Sequence, residues 1–218
     1  MIATTENLSG RTLSFGLPSA PALYLNLARQ AHARRVVINF EPSFINHPNP
    51  QGTWPEDHGP IFDFFEAFAA EVIFSFTAIE AFANESVPRE FFYPWKRGKT
   101  AERISGADIE RRVPLEEKLK RVLPQAHNVP SPAGTKPWQN FLELKGVRDR
   151  LVHLKSVDRA SSGPEQQTIW GLMLEKMKYD FPNVAYELIG TYKTLVERRR
   201  WFRLAGRSVH DARRDDSA

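Results

Sequence analysis

Apolar residues recur at helical spacing along most of the chain beyond residue 60. The longest such stretch, 62–87, contains no glycine or proline and is apolar on nearly every face, which predicts a long central helix. Further helices are predicted over 100–111, 115–123, 138–157, 168–178 and 183–203, with loops over 91–99, 124–137 and 159–165. The pattern therefore predicts an all-α fold, a bundle of four or five helices with short connections.

The first 60 residues are less regular. A helix is predicted over 21–33, after an N-terminal proline, and a strand over 35–40, where β-branched residues alternate. Residues 13–15 are expected to pair with that strand as a small β-ribbon. Residues 42–60 hold five prolines and two glycines, which predicts a loop. The predicted units are an irregular N-terminal extension (1–60), a helical domain (61–205) and a flexible charged tail (206–218).

Composition narrows the class of protein. The 218-residue chain has no cysteine, which excludes disulfide scaffolds, cysteine-ligated metal centres and thiol nucleophiles. Hydrophobic residues make up 41% and charged residues 26%, as in ordinary globular domains. The N-terminus lacks a basic segment followed by an apolar stretch, and the apolar run 72–83 is too short to span a bilayer. We expect a cytoplasmic protein with no membrane partner.

The formal net charge of +4 is unevenly distributed. Residues 41–90 hold nine acidic side chains and one basic one, whereas residues 91–155 hold fourteen basic and seven acidic. Residues 197–214 add seven arginines against two acidic side chains. A basic half beside an acidic half is typical of a polyanion partner or a self-complementary dimer, although a solvated surface without a partner has the same signature.

The predicted helix 138–157 has two different faces. The apolar face is expected to pack into the bundle and consists of Phe141, Leu144, Val147, Leu151 and Leu154. The opposite face consists of Leu142, Gly146, Asp149 and His153. Asp149 and His153 are four residues apart, so the carboxylate is expected to orient the imidazole. A glycine inside a helix costs about 1 kcal/mol relative to alanine, so Gly146 indicates the close approach of another backbone or a ligand.

Residues 148–153 read Arg-Asp-Arg-Leu-Val-His: an arginine, a polar residue, three more residues and a histidine. This pattern, on a helix followed by a loop and further helix, resembles the motif of the HEPN superfamily, small α-helical domains of which many are metal-independent ribonucleases. The order of predicted elements is also similar to that family, over about residues 62–200. Family members usually have asparagine where this chain has Asp149, which adds a negative charge beside the phosphate site.

The resemblance implies an up-down bundle that forms a homodimer, with the two motif helices facing each other across a composite cleft. Arg148 would hold the scissile phosphate, His153 would transfer protons and Asp149 would orient the histidine. A polar pair on the central helix, Glu80 and Asn84, would support the cleft, with Glu80 holding Arg148. The substrate would be RNA, cleaved by its 2′-hydroxyl without metal or cofactor. A cognate antitoxin protein is a further expected partner of a nuclease of the toxin or defence type.

Other chemistry-bearing residues are secondary candidates. The runs 91–99 and 198–203 combine cations with aromatic rings, as nucleic-acid surfaces do, and both also fit a purely structural role. Secondary RNA-binding candidates are Lys96, Arg97, Arg150 and Lys155. Metal-ligand residue types occur in the proline-rich loop at His47, Glu56, Asp57 and His58. Their spacing fits no helix or hairpin site, so no metal centre is predicted.

Two alternatives to the ribonuclease stay open. One is a non-catalytic HEPN-like module that binds RNA, a nucleotide or a protein partner. The other is a structural helical protein in which the motif is a coincidence. In that case Arg148 pairs with a core carboxylate such as Glu80, and His153 caps a helix end. Glu80 and Asn84 would then form a satisfied buried pair.

Overall fold

The computed structural model describes residues 3–41, 58–97, 100–160 and 168–205. The helices are α1 (Ala20–Val36), α2 (Gly59–Glu85), α3 (Gly106–Arg112), α4 (Leu115–Glu117), α5 (Leu123–His127), α6 (Lys136–Val152), α7 (Val157–Ala160), α8 (Ile169–Glu175), α9 (Phe181–Gly190), α10 (Lys193–Val196) and α11 (Arg200–Ala205). A π-helical turn, Lys118–Val122, joins α4 to α5. Two antiparallel hairpins pair β1 (Ala3–Leu8) with β2 (Arg11–Gly16) and β3 (Phe92–Arg97) with β4 (Thr100–Ser105). The described chain is mainly helical, as the sequence predicts.

Helix α2 runs through the core and packs against α1, α6 and α9. Its aromatic rings make the contacts. The Phe68 ring meets Phe181 of α9 edge-on with centroids 5.5 Å apart, and the Phe76 ring stacks on Phe141 of α6 at 6.2 Å. Such aromatic pairs contribute about 0.5–1.5 kcal/mol beyond the burial of their area. The prediction of a long central helix is confirmed, and α2 fixes the position of α6.

A buried ion pair joins α1 to α2. The Glu71 carboxylate is fully buried and accepts a hydrogen bond of 2.5 Å from Arg35 Nε, one of 3.4 Å from Arg35 Nη2 and one of 3.1 Å from the Phe181 backbone N–H. The Arg35 guanidinium also donates to the carbonyl oxygens of Met177 and Tyr179. Three separate segments of the chain therefore meet at one carboxylate.

This ion pair explains why the predicted strand over 35–40 is wrong. Helix α1 continues through Val36, because the helical backbone is what aims the Arg35 side chain at Glu71. Val36 and Val37 are 56% and 77% exposed, so burial of these β-branched residues does not stabilise a strand here. A tertiary contact overrides the local β propensity of the sequence here.

The predicted strand at 13–15 exists as part of β2, but its expected partner was wrong. It pairs with β1, in a register that sets Thr5 opposite Ser14. The two-residue turn is Ser9–Gly10, and both residues have positive φ, 52° and 73°. Two consecutive positive φ values are the geometry of a type I′ hairpin turn, whose twist matches that of the strands.

The expected loop over 91–99 and helix over 100–111 are also wrong. Residues on both sides of positions 98–99 form the β3–β4 hairpin, and only Gly106–Arg112 is helical. Tyr93 and Ile104 lie directly opposite each other and are both 3% exposed. A cross-strand pair buried on one face stabilises a hairpin. The alternation of buried and exposed residues in these strands spans too few residues to be distinguished in the sequence from helical spacing.

The helix predicted to stop before Pro124 instead continues to His127. The backbone N–H of Leu123 bonds to the carbonyl of Lys118, five residues back, so a π-helical turn precedes the proline. Pro124 has no N–H to give the Lys120 carbonyl, which accepts a hydrogen bond of 2.8 Å from the Ser131 hydroxyl instead. The extra residue in the turn accommodates the ring.

Two predicted helix ends differ from the structure. Helix α6 stops at Val152 and does not extend to residue 157, because His153 leaves the helical region with φ −116° and ψ 75°. The expected long helix over 183–203 is divided into α9, α10 and α11. The first interruption lies at Tyr192, where ψ is 52° and the buried hydroxyl donates to the Leu119 carbonyl at 2.5 Å.

Some predictions lie outside the described residues. These are most of the loops over 42–60 and 159–165, the metal-ligand types at His47, Glu56 and Asp57, and the tail 206–218. Among the helices that the structure describes, none is both long and apolar enough to cross a membrane.

We predict that Gly106→Ala destabilises the protein by more than about 1 kcal/mol, measured by chemical denaturation. A Cβ at Gly106 would lie 2.7 Å from the Pro88 carbonyl oxygen, and neither backbone can move without disturbing the β3–β4 hairpin. The matched control is Gly171→Ala in α8, where the nearest atom is Thr168 Oγ1 at 3.6 Å. Alanine there should stabilise by about 0.5–1 kcal/mol. Equal effects of the two substitutions would contradict the packing described for Gly106.

Candidate functional site

The motif helix α6 is seated by its buried face. The Thr135 hydroxyl caps its N-terminus by accepting the Trp138 N–H at 3.3 Å. Phe141, Leu144 and Val147 are buried, as predicted. Leu151 is only partly buried, and Leu154 lies beyond the helix and is exposed. The predicted apolar face is therefore confirmed for the first three turns and ends before the motif does.

Arg148 lies at the edge of this buried face. Its guanidinium carbon is 4.7 Å from the centre of the Phe76 ring, and Nη1 donates to Asp149 Oδ1 at 3.0 Å. The side chain is 31% exposed, and most of its N–H groups have no partner within the described part of the chain. The ring and the carboxylate hold the cation in place at a partly exposed position.

Asp149 does not play the role expected for it. Its carboxylate accepts hydrogen bonds from Lys145 Nζ at 2.8 Å and from Arg148, and in the described structure it makes none to the His153 imidazole. Partial burial opposes ionisation of Asp149, but these two cationic donors outweigh it and hold its pKa below the usual value. Asp149 is four residues from both Lys145 and His153. Lys145 lies within the helix and His153 lies beyond its end, so the carboxylate pairs with Lys145.

His153 is the C-cap of α6. Its backbone N–H donates to the Asp149 carbonyl at 3.0 Å, and its side chain is exposed. Because the backbone has already left the helix, the imidazole no longer projects from the same face as Asp149. The His153 imidazole is thus presented to solvent at the end of the motif helix.

Glu80 and Asn84 face a different cation. Asn84 Oδ1 accepts from Lys118 Nζ at 2.7 Å, and the same ammonium group donates to the Glu110 carbonyl at 2.7 Å. Burial lowers the pKa of Lys118, and the charges of Glu80 and Glu110 oppose that shift. Among the described residues, no hydrogen bond or ion pair joins Glu80 to Arg148, so the polar pair supports Lys118.

Arg150, a secondary RNA-binding candidate, is occupied by a carboxylate that sequence reasoning missed. Its two terminal nitrogens donate to the two oxygens of Asp158 at 2.5 and 2.6 Å. Asp158 also accepts the backbone N–H groups of Lys155 at 2.6 Å and Ile169 at 2.7 Å. This network turns the chain after α6. The Lys155 side chain remains exposed near the motif.

The other two secondary candidates lie on β3. The Lys96 side chain is exposed, and Arg97 ends the strand. The secondary RNA-binding candidates therefore lie on two different parts of the structure. Lys155 follows the motif helix α6, whereas Lys96 and Arg97 belong to the β3–β4 hairpin.

One cluster of metal-ligand types occurs within the described ranges, at His32, Glu71 and Asp180, whose ligand atoms lie within 4.8 Å of one another. Its central carboxylate is already engaged by Arg35. The hydrogen bond to Glu71 raises the pKa of His32, which favours the protonated imidazole over the neutral form that binds metals. Within this cluster, His32 and Glu71 belong to the buried polar contacts that join α1 to α2.

We predict that Asp158→Asn lowers stability at pH 7 and weakens the dependence of stability on acid. The Arg150 hydrogen bonds, against the opposing effect of burial, and two backbone donors hold the pKa of Asp158 far below its unfolded value of about 3.9. A carboxyl with a depressed folded pKa stabilises above its unfolded pKa, and this stability is lost as the pH falls towards the folded pKa.

Urea unfolding at several pH values between about 2 and 7 tests this. The matched control is Asp63→Asn, a 56% exposed carboxylate in a surface pair with Arg34, which should change little. Identical pH slopes for wild type and Asp158→Asn would refute the role given to the network.

No protein-family model, curated protein or solved structure matches this chain. The site is therefore defined by its own geometry. It consists of a guanidinium held by Phe76 and Asp149 on α6, an exposed imidazole at the end of that helix, and an exposed Lys155 just beyond it.

Proposed function

We propose that this chain is a homodimeric, metal-independent endoribonuclease of the HEPN type, a toxin or defence nuclease that acts on RNA in the cytoplasm. The observation that carries the proposal is the placement of Arg148 and His153. The α6 helix is fixed to the core by its buried face, yet it offers solvent a positioned guanidinium and, at its end, an imidazole.

The chemistry suits cleavage of an RNA phosphodiester. One His153 takes the proton of the 2′-hydroxyl, the oxygen attacks phosphorus, and the bond to the 5′-oxygen breaks. A second imidazole gives that leaving oxygen a proton, so a 2′,3′-cyclic phosphate and a 5′-hydroxyl result. Arg148 meets the charge that develops on the non-bridging phosphate oxygens. Every step uses groups of the chain itself.

Two proton-transfer groups are available if two copies meet at α6. The surface around the motif contains three apolar side chains that one chain leaves open: Leu142 (37% exposed), Val152 (49%) and Leu154 (45%). A Cβ added at Gly146 would have no heavy atom within 4 Å, so a second backbone can approach the helix there. An apolar patch beside an open glycine supports a dimer through the Arg148–His153 helix.

A specific observation favours a second candidate, the non-catalytic HEPN-like module. Asp149 pairs with Arg148, and no carboxylate among the described residues bonds to the His153 imidazole to orient it. A guanidinium partly neutralised in this way binds phosphate less strongly, and an unoriented imidazole transfers protons less efficiently. In that case the same surface binds RNA or a protein partner without cutting.

We predict that the purified protein cleaves mixed total RNA in EDTA and that His153→Ala lowers the cleavage rate by at least about 100-fold. Arg148→Ala should lower it comparably, because the phosphate loses its cation. Asp149→Asn should raise it, because a negative charge beside the phosphate is removed. The measurement is the initial cleavage rate, with folding of each variant checked by circular dichroism.

The matched control for Arg148→Ala is Arg111→Ala, an exposed arginine on α3 paired with Asp108, which should cleave as wild type does. RNA binding without cleavage by any variant would favour the non-catalytic module. Equal cleavage by wild type, Arg148→Ala and His153→Ala would place the activity elsewhere and refute the assignment.

A further inference from the structure

The β3–β4 hairpin is a rigid platform that the proposed cleavage site does not use. Tyr93 and Ile104 fasten its inner face to the core, and the Tyr93 hydroxyl donates to Glu117 at the end of α4. Gly106, just after β4, packs directly against the backbone of Pro88 and Arg89. Side chains that alternate along β3 therefore have fixed directions, inward at Tyr93 and outward at the residues on either side.

A cavity lies on each side of this platform. The first, of about 420 Å³, lies between β3 and α4 and is lined by Tyr93, Pro94, Trp95, Lys96, Pro114, Glu117 and Arg121. The second, of about 430 Å³, lies on the outward face and is lined by Phe92, Pro94, Ala101, Glu102 and Arg103. Both volumes are within the range of about 300–1,000 Å³ that is typical of ligand pockets. Pro94 lines both, so the two cavities are adjacent across β3.

Each cavity is lined by an aromatic ring and a cation, Trp95 with Lys96 in the first and Phe92 with Arg103 in the second. The Arg103 guanidinium carbon is 4.9 Å from the Phe92 ring centre, and Arg112, which lines neither cavity, lies 5.0 Å from the Trp95 ring centre. Phe92 is 48% exposed, although it is a large apolar ring on a short hairpin. Rings with adjacent guanidinium groups are the surface on which unpaired bases stack.

The charge balance of the platform is positive. Its two carboxylates are already paired, Glu102 with Arg112, and Glu117 with Tyr93 and Arg121. Lys96 and Arg103 form no ion pair within the described ranges, so these two cations are uncompensated there. Arg121 is paired with Glu117, but its side chain is 59% exposed. Uncompensated cations interleaved with aromatic rings complement a strand that carries both phosphates and exposed bases.

We propose that the β3–β4 hairpin is a second nucleic-acid site that binds single-stranded RNA, with bases stacked on Phe92 and Trp95 and phosphates held by Lys96, Arg103 and Arg121. This inference rests on the proposed function in taking RNA as the ligand. It goes further in naming single-stranded RNA as the form recognised. Binding at the hairpin and cleavage at α6 then depend on different residues.

The test is fluorescence anisotropy with a labelled single-stranded RNA, in EDTA, in the His153→Ala background so that the probe stays intact. Phe92→Ala should weaken binding by roughly 5- to 100-fold, the loss of one stacked base. Replacing Lys96 and Arg103 together by alanine should weaken binding and also lower the salt dependence of the affinity, because two phosphate contacts are lost. Trp95→Phe should retain most of the affinity, because phenylalanine keeps an aromatic ring for stacking and still fills the space between β3 and α4.

Two comparisons sharpen the result. Arg111→Ala removes an exposed arginine that lines neither cavity and should bind as the parent does. A fully paired duplex of the same length should bind more weakly than the single strand, because its bases cannot stack on side chains. Equal affinity for duplex and single strand would overturn the proposal, and so would unchanged binding by both Phe92→Ala and the Lys96/Arg103 variant.

The outcomes for the two sites are separable. Hairpin variants that lose RNA binding, in a protein that never cleaves RNA, support the hairpin site and contradict the proposed nuclease. A wild-type protein that cleaves RNA, with hairpin variants that bind RNA normally, contradicts the hairpin site alone. A wild-type protein that binds no RNA contradicts both.

Discussion

The structure depends on one buried charge, the carboxylate of Glu71 in the middle of α2. A buried carboxylate is tolerated only when cations and N–H donors satisfy it, and removing one partner of such a pair costs about 3–5 kcal/mol. Arg35, His32 and the Phe181 N–H provide that satisfaction, and Arg35 extends it to two further carbonyls. The Glu71 carboxylate thereby holds the C-terminal part of α1 and the first residue of α9 against the middle of α2.

The candidate site on α6 is held in place by contacts with α2. Phe76 contacts both Phe141, in the buried face of α6, and the Arg148 guanidinium, so the same ring that seats the helix also positions the cation. At the other end of the motif, the pair between Asp158 and Arg150 turns the chain and leaves His153 on the surface. Under the proposed function, a site on a core-anchored helix end would need little reorganisation to meet a phosphate, as electrostatic catalysis requires.

Sequence patterns predicted the elements whose stability is local or periodic. The long apolar stretch of α2, the proline-led α1 and the buried face of α6 followed from spacing alone. Predictions failed where a distant contact decided: residues 35–40 carry a β pattern, but Arg35 is committed to a carboxylate 36 positions away. Lys145 and His153 are both four residues from Asp149, so spacing alone allows either as its partner. The end of α6 at Val152 removes His153 from the helix and leaves Lys145 as the partner. The pairing of Arg150 with Asp158 depends on a turn that no local sequence pattern specifies.

The central claim is that the end of α6 performs metal-free cleavage by the RNA's own 2′-hydroxyl. The most direct test is mass spectrometry of the fragment ends produced from a defined RNA in EDTA. The account predicts 2′,3′-cyclic phosphate or its opened phosphate on one side and 5′-hydroxyl on the other, with no fragments from an RNA that is 2′-deoxy at the cleaved position. Fragments ending in 3′-hydroxyl and 5′-phosphate would contradict it, because they require attack by water and not by the neighbouring hydroxyl.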